Sequence, residues 1–364
     1  MTRLRALVVC PGRGSYGRSQ LGSLPAGDPI VAALDRFRAR LGRPAISELD
    51  RAPEYTSRLH IAGEHASLLT FACTAVDLAA ISPDKLDVVG VTGNSMGFYT
   101  ALYAAGALDL DGAARLVETL GHYQADNVIG GQLMYPLVGD DWRPSAGHAA
   151  AVDAALAHPG VHVSIRLGGT IVLGASADGL AHARRVLPEI DPTGEDPRPA
   201  GNAVGGPTPR DTTSSIARGG TRYPAQLPLH SAFHTPLMAP SAERARADLA
   251  DLPLRAPAIT LVGGDGVVHR PWASPSALWS YTLGAQLVEP FDFARAIATA
   301  VGELGPDVIV LPGPGDSLGA PIGQILIAQR WRGLRNRADF LAMQASDRPI
   351  VLAMHRSEQR ARVV

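Results

Sequence analysis

The chain predicts an α/β protein: a mainly parallel sheet covered by helices on both faces, with a smaller α+β module inserted into it. Three observations carry that expectation. Short β-branched and apolar runs alternate with Ala- and Leu-rich helical stretches through most of the sequence. Between about residues 128 and 190 the pattern changes to paired short strands with two connecting helices. Between one strand and one tight helix stands Gly93-Asn94-Ser95-Met96-Gly97, a G-x-S-x-G pentapeptide. With 364 residues and 46% hydrophobic content the chain can bury a large core, and 5% aromatic content means that Ala, Val and Leu must build it.

In order, residues 4–10 (LRALVVC) read as a buried strand running into Pro11-Gly12-Arg13-Gly14-Ser15, a loop able to bring backbone N–H groups close to a ligand. Residues 30–41 and 64–80 read as helices. Residues 88–92 form the strand before the serine and 96–107 the helix after it. Residues 112–125 form a further helix, which Asp109 or Asp111 can cap. In the inserted module, strands are expected at 132–138, 161–166 and 170–173, with helices at 146–157 and 178–187. Residues 191–220 are rich in Pro, Gly, Thr and Ser and read as a long loop. The large fold resumes with helices at 236–252, 274–283 and 291–304 and strands at 258–262 and 307–311. The stretch 328–364 is rich in arginine and reads as a solvated extension, or alternatively as a contact for an acidic partner.

Charge and composition exclude several classes. A net charge of −1 makes no electrostatic case for nucleic acid or an anionic membrane. No apolar run approaches the length of a membrane span, and residues 1–14 lack a signal peptide's long apolar stretch and cleavage site, so a cytoplasmic protein is expected. Cys10 and Cys73 both lie in apolar segments and read as core residues rather than a disulfide. The histidines show no zinc spacing.

The G-x-S-x-G context predicts a nucleophilic Ser95 on a sharp strand-to-helix turn, at a helix N-terminus where free N–H groups can meet an oxyanion. The competing reading is a structural glycine-rich turn. Two further segments narrow the choice: the Pro11-Gly12-x-Gly14 loop and Leu227-Pro228-Leu229-His230-Ser231-Ala232-Phe233-His234-Thr235-Pro236. Together with Ala104-Ala105-Gly106-Ala107-Leu108-Asp109, Arg115-Leu116-Val117-Glu118, Gln286-Leu287-Val288-Glu289-Pro290 and Gly313-Pro314-Gly315, they occur in one order along nearly the whole chain. This set resembles the malonyl-CoA:acyl carrier protein transacylases and the acyltransferase domains of polyketide synthases.

The resemblance implies an α/β-hydrolase-like core formed by residues 1–127 and 223–327 and an inserted ferredoxin-like subdomain at 128–190. The loop 191–222 and the extension 328–364 fall outside both. It further implies acyl transfer through a Ser95 ester, with His234 as general base oriented by the backbone carbonyl of Gln286. The backbone N–H groups of Met96 and Arg13 would form the oxyanion hole, Arg13 standing where the family has glutamine. No metal or redox cofactor is implied; coenzyme A or phosphopantetheine enters as the acyl handle, and an acyl carrier protein is the expected partner. His230 reads as a loop residue.

The chain departs from the family at three places. Asn94 replaces the histidine usual before the nucleophile. Leu120 replaces the arginine that pairs with a malonyl carboxylate, which points to a neutral acyl group unless Arg13 supplies a guanidinium from another direction. The family's asparagine in the small subdomain has no clear counterpart near residues 166–170. Three functions therefore stay open: an acyltransferase without malonyl preference, a hydrolase that clears acyl groups from carrier proteins, and a non-catalytic subunit that binds a carrier protein.

Overall fold

In a computed structural model of the chain, the described residues are 3–126, 128–190 and 222–364. The expected loop at 191–220 lies outside them. Through the first half the elements run β1 (Leu4–Cys10), α1 (Pro29–Arg40), α2 (Ile46–Asp50), α3 (Ser57–His60), α4 (Gly63–Ala80), β2 (Leu86–Gly93), α5 (Gly97–Ala104) and α6 (Leu110–Asp126). The subdomain follows as β3 (Gly131–Pro136), α7 (Ala146–Leu156), β4 (Val161–Leu167), β5 (Thr170–Ala175), α8 (Ala177–Val186) and β6 (Ala225–Leu227). The core then resumes with α9 (Ala239–Asp248), β7 (Leu261–Val262), β8 (Val268–His269), α10 (Pro275–Ser280), α11 (Gln286–Val288), α12 (Phe293–Leu304), β9 (Val308–Leu311), α13 (Gly319–Ala328), α14 (Arg337–Gln344), β10 (Val351–Ala353) and α15 (Ser357–Arg360).

The large sheet has the order β10-β9-β1-β2-β7-β8 and is parallel except for the β7–β8 pair. Its strands bury Leu7, Val9, Val91, Ile309 and Val310 beneath helices on both faces. Register matters for function. Cys10 lies opposite Gly93, and Val8 opposite both Val91 and Val310. The loops leaving β1, β2 and β9 therefore emerge together at the carboxyl ends of the strands, where open α/β sheets hold their ligands.

The smaller sheet has the order β4-β5-β3-β6, entirely antiparallel. With the chain order β3-α7-β4-β5-α8-β6, this is the ferredoxin-like arrangement. Period-two alternation gives it two faces. Leu133, Tyr135, Ile171 and Leu173 pack into the subdomain's own core with Val152 and Ala183, whereas Met134, Leu167 and Val172 turn towards the large domain. Phe291 ties the two sheets together: its N–H donates to the Ser164 carbonyl (2.8 Å) and its carbonyl accepts from Arg166 N–H (3.0 Å).

Several expectations need correction. Residues 225–227 complete the small sheet rather than the large one, because β6 supplies the fourth strand beside β3. Residues 328–364 are not a solvated extension: β10 pairs with β9, and Ile350, Met354 and Val363 are buried. The arginines there are anchored, Arg360 to Asp77 and Arg356 to Asp316. The expected helix 236–252 begins as a 3-10 turn and is α-helical over Ala239–Asp248. Asp109 caps α6 by accepting from Gly112 N–H (2.8 Å), and the helix starts two residues earlier than its sequence pattern suggests. Cys10 and Cys73 are separate buried thiols, and burial pushes both thiol pKa values up.

Candidate active site

The serine turn is held in a shape that glycine alone permits. A Cβ on Gly93 would stand 2.2 Å from the Gly97 carbonyl, and one on Gly97 would stand 2.2 Å from the Cys10 oxygen. Between them Ser95 occupies the left-handed region at φ 56°, costly for a non-glycine residue and found mostly where function requires it. The next turn, α5, is continuous with this elbow: Gly97 N–H donates to Asn94 O and Phe98 N–H to Ser95 O.

Ser95 Oγ lies 2.7 Å from His234 Nε2. The imidazole is fixed from behind, since Nδ1–H donates to the Gln286 carbonyl at 2.5 Å. That bond assigns the proton to Nδ1 and leaves the Nε2 lone pair for the serine hydroxyl. A second tie holds the backbone: His234 N–H donates to the Leu287 carbonyl at 2.9 Å. His234, like Ser95, has positive φ (59°), so both residues sit on strained backbone. Burial lowers its pKa to about 4, against a smaller opposing effect of the Gln286 carbonyl, so the ring is neutral at pH 7 and its Nε2 lone pair is free to accept the serine proton.

These residues line a cavity of about 480 Å³ between the two sheets. Its floor comes from the three loops brought together by the large sheet: Gly12–Ser15 after β1, Asn94–Met96 after β2, and Ser317–Leu318 after β9. One side is the α6 stripe Val117, Leu120, Gly121 and Gln124, spaced i, i+3, i+4, i+7. The roof is the inner face of the small sheet, with Met134, Ile165, Leu167 and Val172.

Every residue expected at the site is therefore brought to one place: Ser95, His234, Gln286, Met96, Arg13, Asn94 and Leu120 all line this cavity. Among the described residues, neither Met96 N–H nor Arg13 N–H donates to another group, which leaves both as available donors. The side chain of Arg13 is already committed. Its Nη2 donates to Leu229 O (2.8 Å) and its Nε to His230 Nε2 (3.2 Å), and burial lowers its pKa to about 9. Its Nη1 is sealed from solvent against Gly63. His230 is a loop residue as expected, but one held inside the protein. It is buried and neutral, donates from Nδ1 to Pro228 O, and accepts from Arg13.

Sequence reasoning missed three contributors. Tyr99, one turn after the serine, donates its hydroxyl to the Gln286 side chain, whose Nε2 in turn donates to Ser95 O at 3.1 Å. The Leu287 carbonyl that anchors His234 follows directly on Gln286. The stretch Tyr281–Ala285 is a π-helical turn, an irregularity that clusters at functional sites. The Tyr99 hydroxyl meets Gln286 across 187 residues of sequence, so no local spacing signals the contact, and the π-turn left no signal either.

No family model matches the chain. Over 266 residues it is 26% identical to the polyketide synthase GfsB of Streptomyces halstedii, covering 72% of this chain and 4% of that much longer protein. Solved structures agree over far more. The malonyl-CoA:acyl carrier protein transacylase of Coxiella burnetii superposes with a TM-score of 0.69 at 18% identity, covering 99% of this chain and 96% of its own. The transacylase of Xanthomonas oryzae does so with a TM-score of 0.69 at 21% identity, covering 99% and 98%. The fold is the malonyl-CoA:acyl carrier protein transacylase fold. A third structure with the transacylase fold, a malonyl-transacylase in complex with its type II polyketide acyl carrier protein, matches with a TM-score of 0.64 at 20% identity over 88% of this chain and 93% of its own.

Proposed function

We propose that the chain is a serine-dependent acyltransferase that moves a neutral acyl group from a coenzyme A or carrier-protein thioester to an acyl carrier protein. The observation that carries this reading is the contact of a neutral, back-anchored His234 with Ser95 Oγ, 2.7 Å away inside a largely apolar cavity. Ser95 Oγ attacks the thioester carbonyl while His234 Nε2 takes its proton. The carbonyl π-electrons move to oxygen, where Met96 and Arg13 N–H groups receive the charge. Collapse re-forms the carbonyl and expels the thiolate, which takes the proton back from His234. The acceptor thiol then gives its proton to the same nitrogen and attacks the Ser95 ester; collapse breaks the Oγ–acyl bond, and Ser95 Oγ takes the proton back from His234, which completes a ping-pong cycle.

The acyl preference follows from Leu120 and Arg13. Leu120 is 5% exposed and lines the cavity, so it offers a carboxylate nothing, and the Arg13 guanidinium is turned to Leu229 and His230. An unpaired carboxylate buried there would cost several kcal/mol, on the order of a thousandfold in affinity. Under this reading the enzyme serves fatty-acid or polyketide-type assembly in the cytoplasm. Its carrier protein docks beside Arg337 at the cavity, where an acidic helix would meet that guanidinium.

Intact-protein mass spectrometry with malonyl, acetyl and longer saturated acyl thioesters tests this, with Ser95→Ala as control. The expected result is a Ser95 adduct from neutral donors, discharged by holo-carrier protein. Labelling by malonyl above all others would overturn the specificity. Discharge by water at an unchanged rate when carrier protein is added would make the chain a hydrolase. No adduct and no free acid from any donor would leave the carrier-binding subunit.

A further inference from the structure

We propose that the Gln286 side chain, held by Tyr99, is a positioning device that aims the Met96 N–H of the oxyanion hole. This rests on the acyl-transfer reading above. Gln286 meets both halves of the dyad. Its backbone carbonyl takes the His234 Nδ1 proton at 2.5 Å, and its side-chain Nε2 donates to the Ser95 carbonyl at 3.1 Å. The Ser95 carbonyl accepts a second bond from Phe98 N–H at 3.0 Å.

Ser95 C=O and Met96 N–H belong to one planar trans peptide, so they point in opposite directions. Pinning the carbonyl with two donors fixes the plane and turns the N–H away from Gln286. Hydrogen bonds to the carbonyl also polarise the peptide and strengthen its N–H as a donor. The tie is needed because rotation of this peptide about ψ of Ser95 and φ of Met96 would carry the N–H out of the oxyanion position, and the bonds to the Ser95 carbonyl oppose that rotation.

Tyr99 completes the strap. The primary amide of Gln286 must present its nitrogen to Ser95 and its oxygen elsewhere, and the Tyr99 hydroxyl takes that oxygen. Tyr99 and Gln286 are both buried, and low local polarity strengthens the bonds between them. The π-turn Tyr281–Ala285 immediately precedes Gln286 and shifts the helix phase by one residue. That shift presents the backbone carbonyl and the side chain of one residue to two different partners.

The test uses the full chain and a fluorophosphonate probe, whose reaction with Ser95 does not depend on acyl preference and puts a phosphoryl oxygen into the oxyanion hole. Gln286→Met keeps the backbone carbonyl and removes the amide; Tyr99→Phe removes the hydroxyl alone. Labelling is expected to slow about 10- to 100-fold in Gln286→Met and about 3- to 10-fold in Tyr99→Phe, the double variant being no slower than Gln286→Met. The acid limb of the pH–rate profile should not move, because the His234–carbonyl bond is intact. Unchanged labelling, additive losses, or a shifted acid limb would each overturn the strap. A loss matched by a collapsed melting temperature in Gln286→Met, while Gln286→Leu melts normally and labels at the wild-type rate, would overturn it as well, since leucine cannot donate to Ser95 O. Wild-type protein that does not label at all would instead remove the acyl-transfer reading and the strap with it.

Discussion

The floor and the roof of the cavity are built on opposite principles. The floor is polar and strained: Ser95 and His234 both carry positive φ, and three groups from 286–287 hold them. The roof is the relaxed inner face of an antiparallel sheet, and it presents mainly apolar side chains from alternate positions. Chemistry needs a few atoms within tenths of an ångström, whereas selection of an acyl chain needs volume and dryness. Changes to the floor should therefore lower the rate with every donor, and changes to the wall and roof should reorder the donors.

The largest break comes from the floor. Ser95→Ala should abolish acyl-enzyme formation, and His234→Ala should reduce turnover about 10⁴-fold or more, both with the fold intact by circular dichroism. If either variant spared one donor class, floor and roof would not be separable. On the wall, Leu120→Arg should invert the ranking of malonyl against neutral donors by roughly 10²- to 10³-fold in kcat/KM, while Ser95 labelling by fluorophosphonate stays near wild type. A ranking left unchanged would place the acyl group elsewhere in the cavity.

The dryness of the floor can be read from pH. With His234 lowered to about 4, wild-type kcat/KM at pH 5 should retain most of its neutral value, where an ordinary histidine of pKa 6.5 would lose about thirtyfold. The same depression bears on stability. The unfolded chain binds this proton first, so stability should rise with pH between about 4 and 6.5 and be lost as pH falls through that window. Chemical denaturation at several pH values measures it. In the roof, Met134→Trp should cut kcat/KM about tenfold for the longest acyl donors and change acetyl transfer by less than about threefold. The smallest effect belongs to a pair outside the cavity lining: Arg360→Ala, which leaves Asp77 bonded to Gly313 N–H, should cost about 1 kcal/mol and leave donor ranking untouched.

Much of the floor was legible because its geometry demands particular residues. The elbow cannot form without Gly93 and Gly97, so the pentapeptide announces itself, and the strand and helix around it follow from local periodicity. Leu120 was legible as a wall residue through the segment it follows. The Arg13 side chain was not, because its partners Leu229 and His230 stand more than two hundred residues away and no local rule links them. The last stretch was misread for a related reason. Its arginines suggest solvent, yet Val351–Ala353 is a three-residue strand whose identity comes from pairing with β9, not from its own pattern. The Gln286 strap depends on a helix phase shift that composition does not encode.

The order of the large sheet also has a bearing on how the molecule is made. β1 is synthesised first but sits between β2 and β9, and β9 ends at Leu311. At about 5–20 residues per second, a nascent chain would wait roughly 15–60 s between exposing β1 and exposing the neighbour that closes its other edge. Throughout that interval the apolar run at residues 6–10 has one open flank, an invitation to wrong pairing. The loop that carries Arg13 hangs from this strand, so the proposed oxyanion hole would be assembled only after β9 has been made.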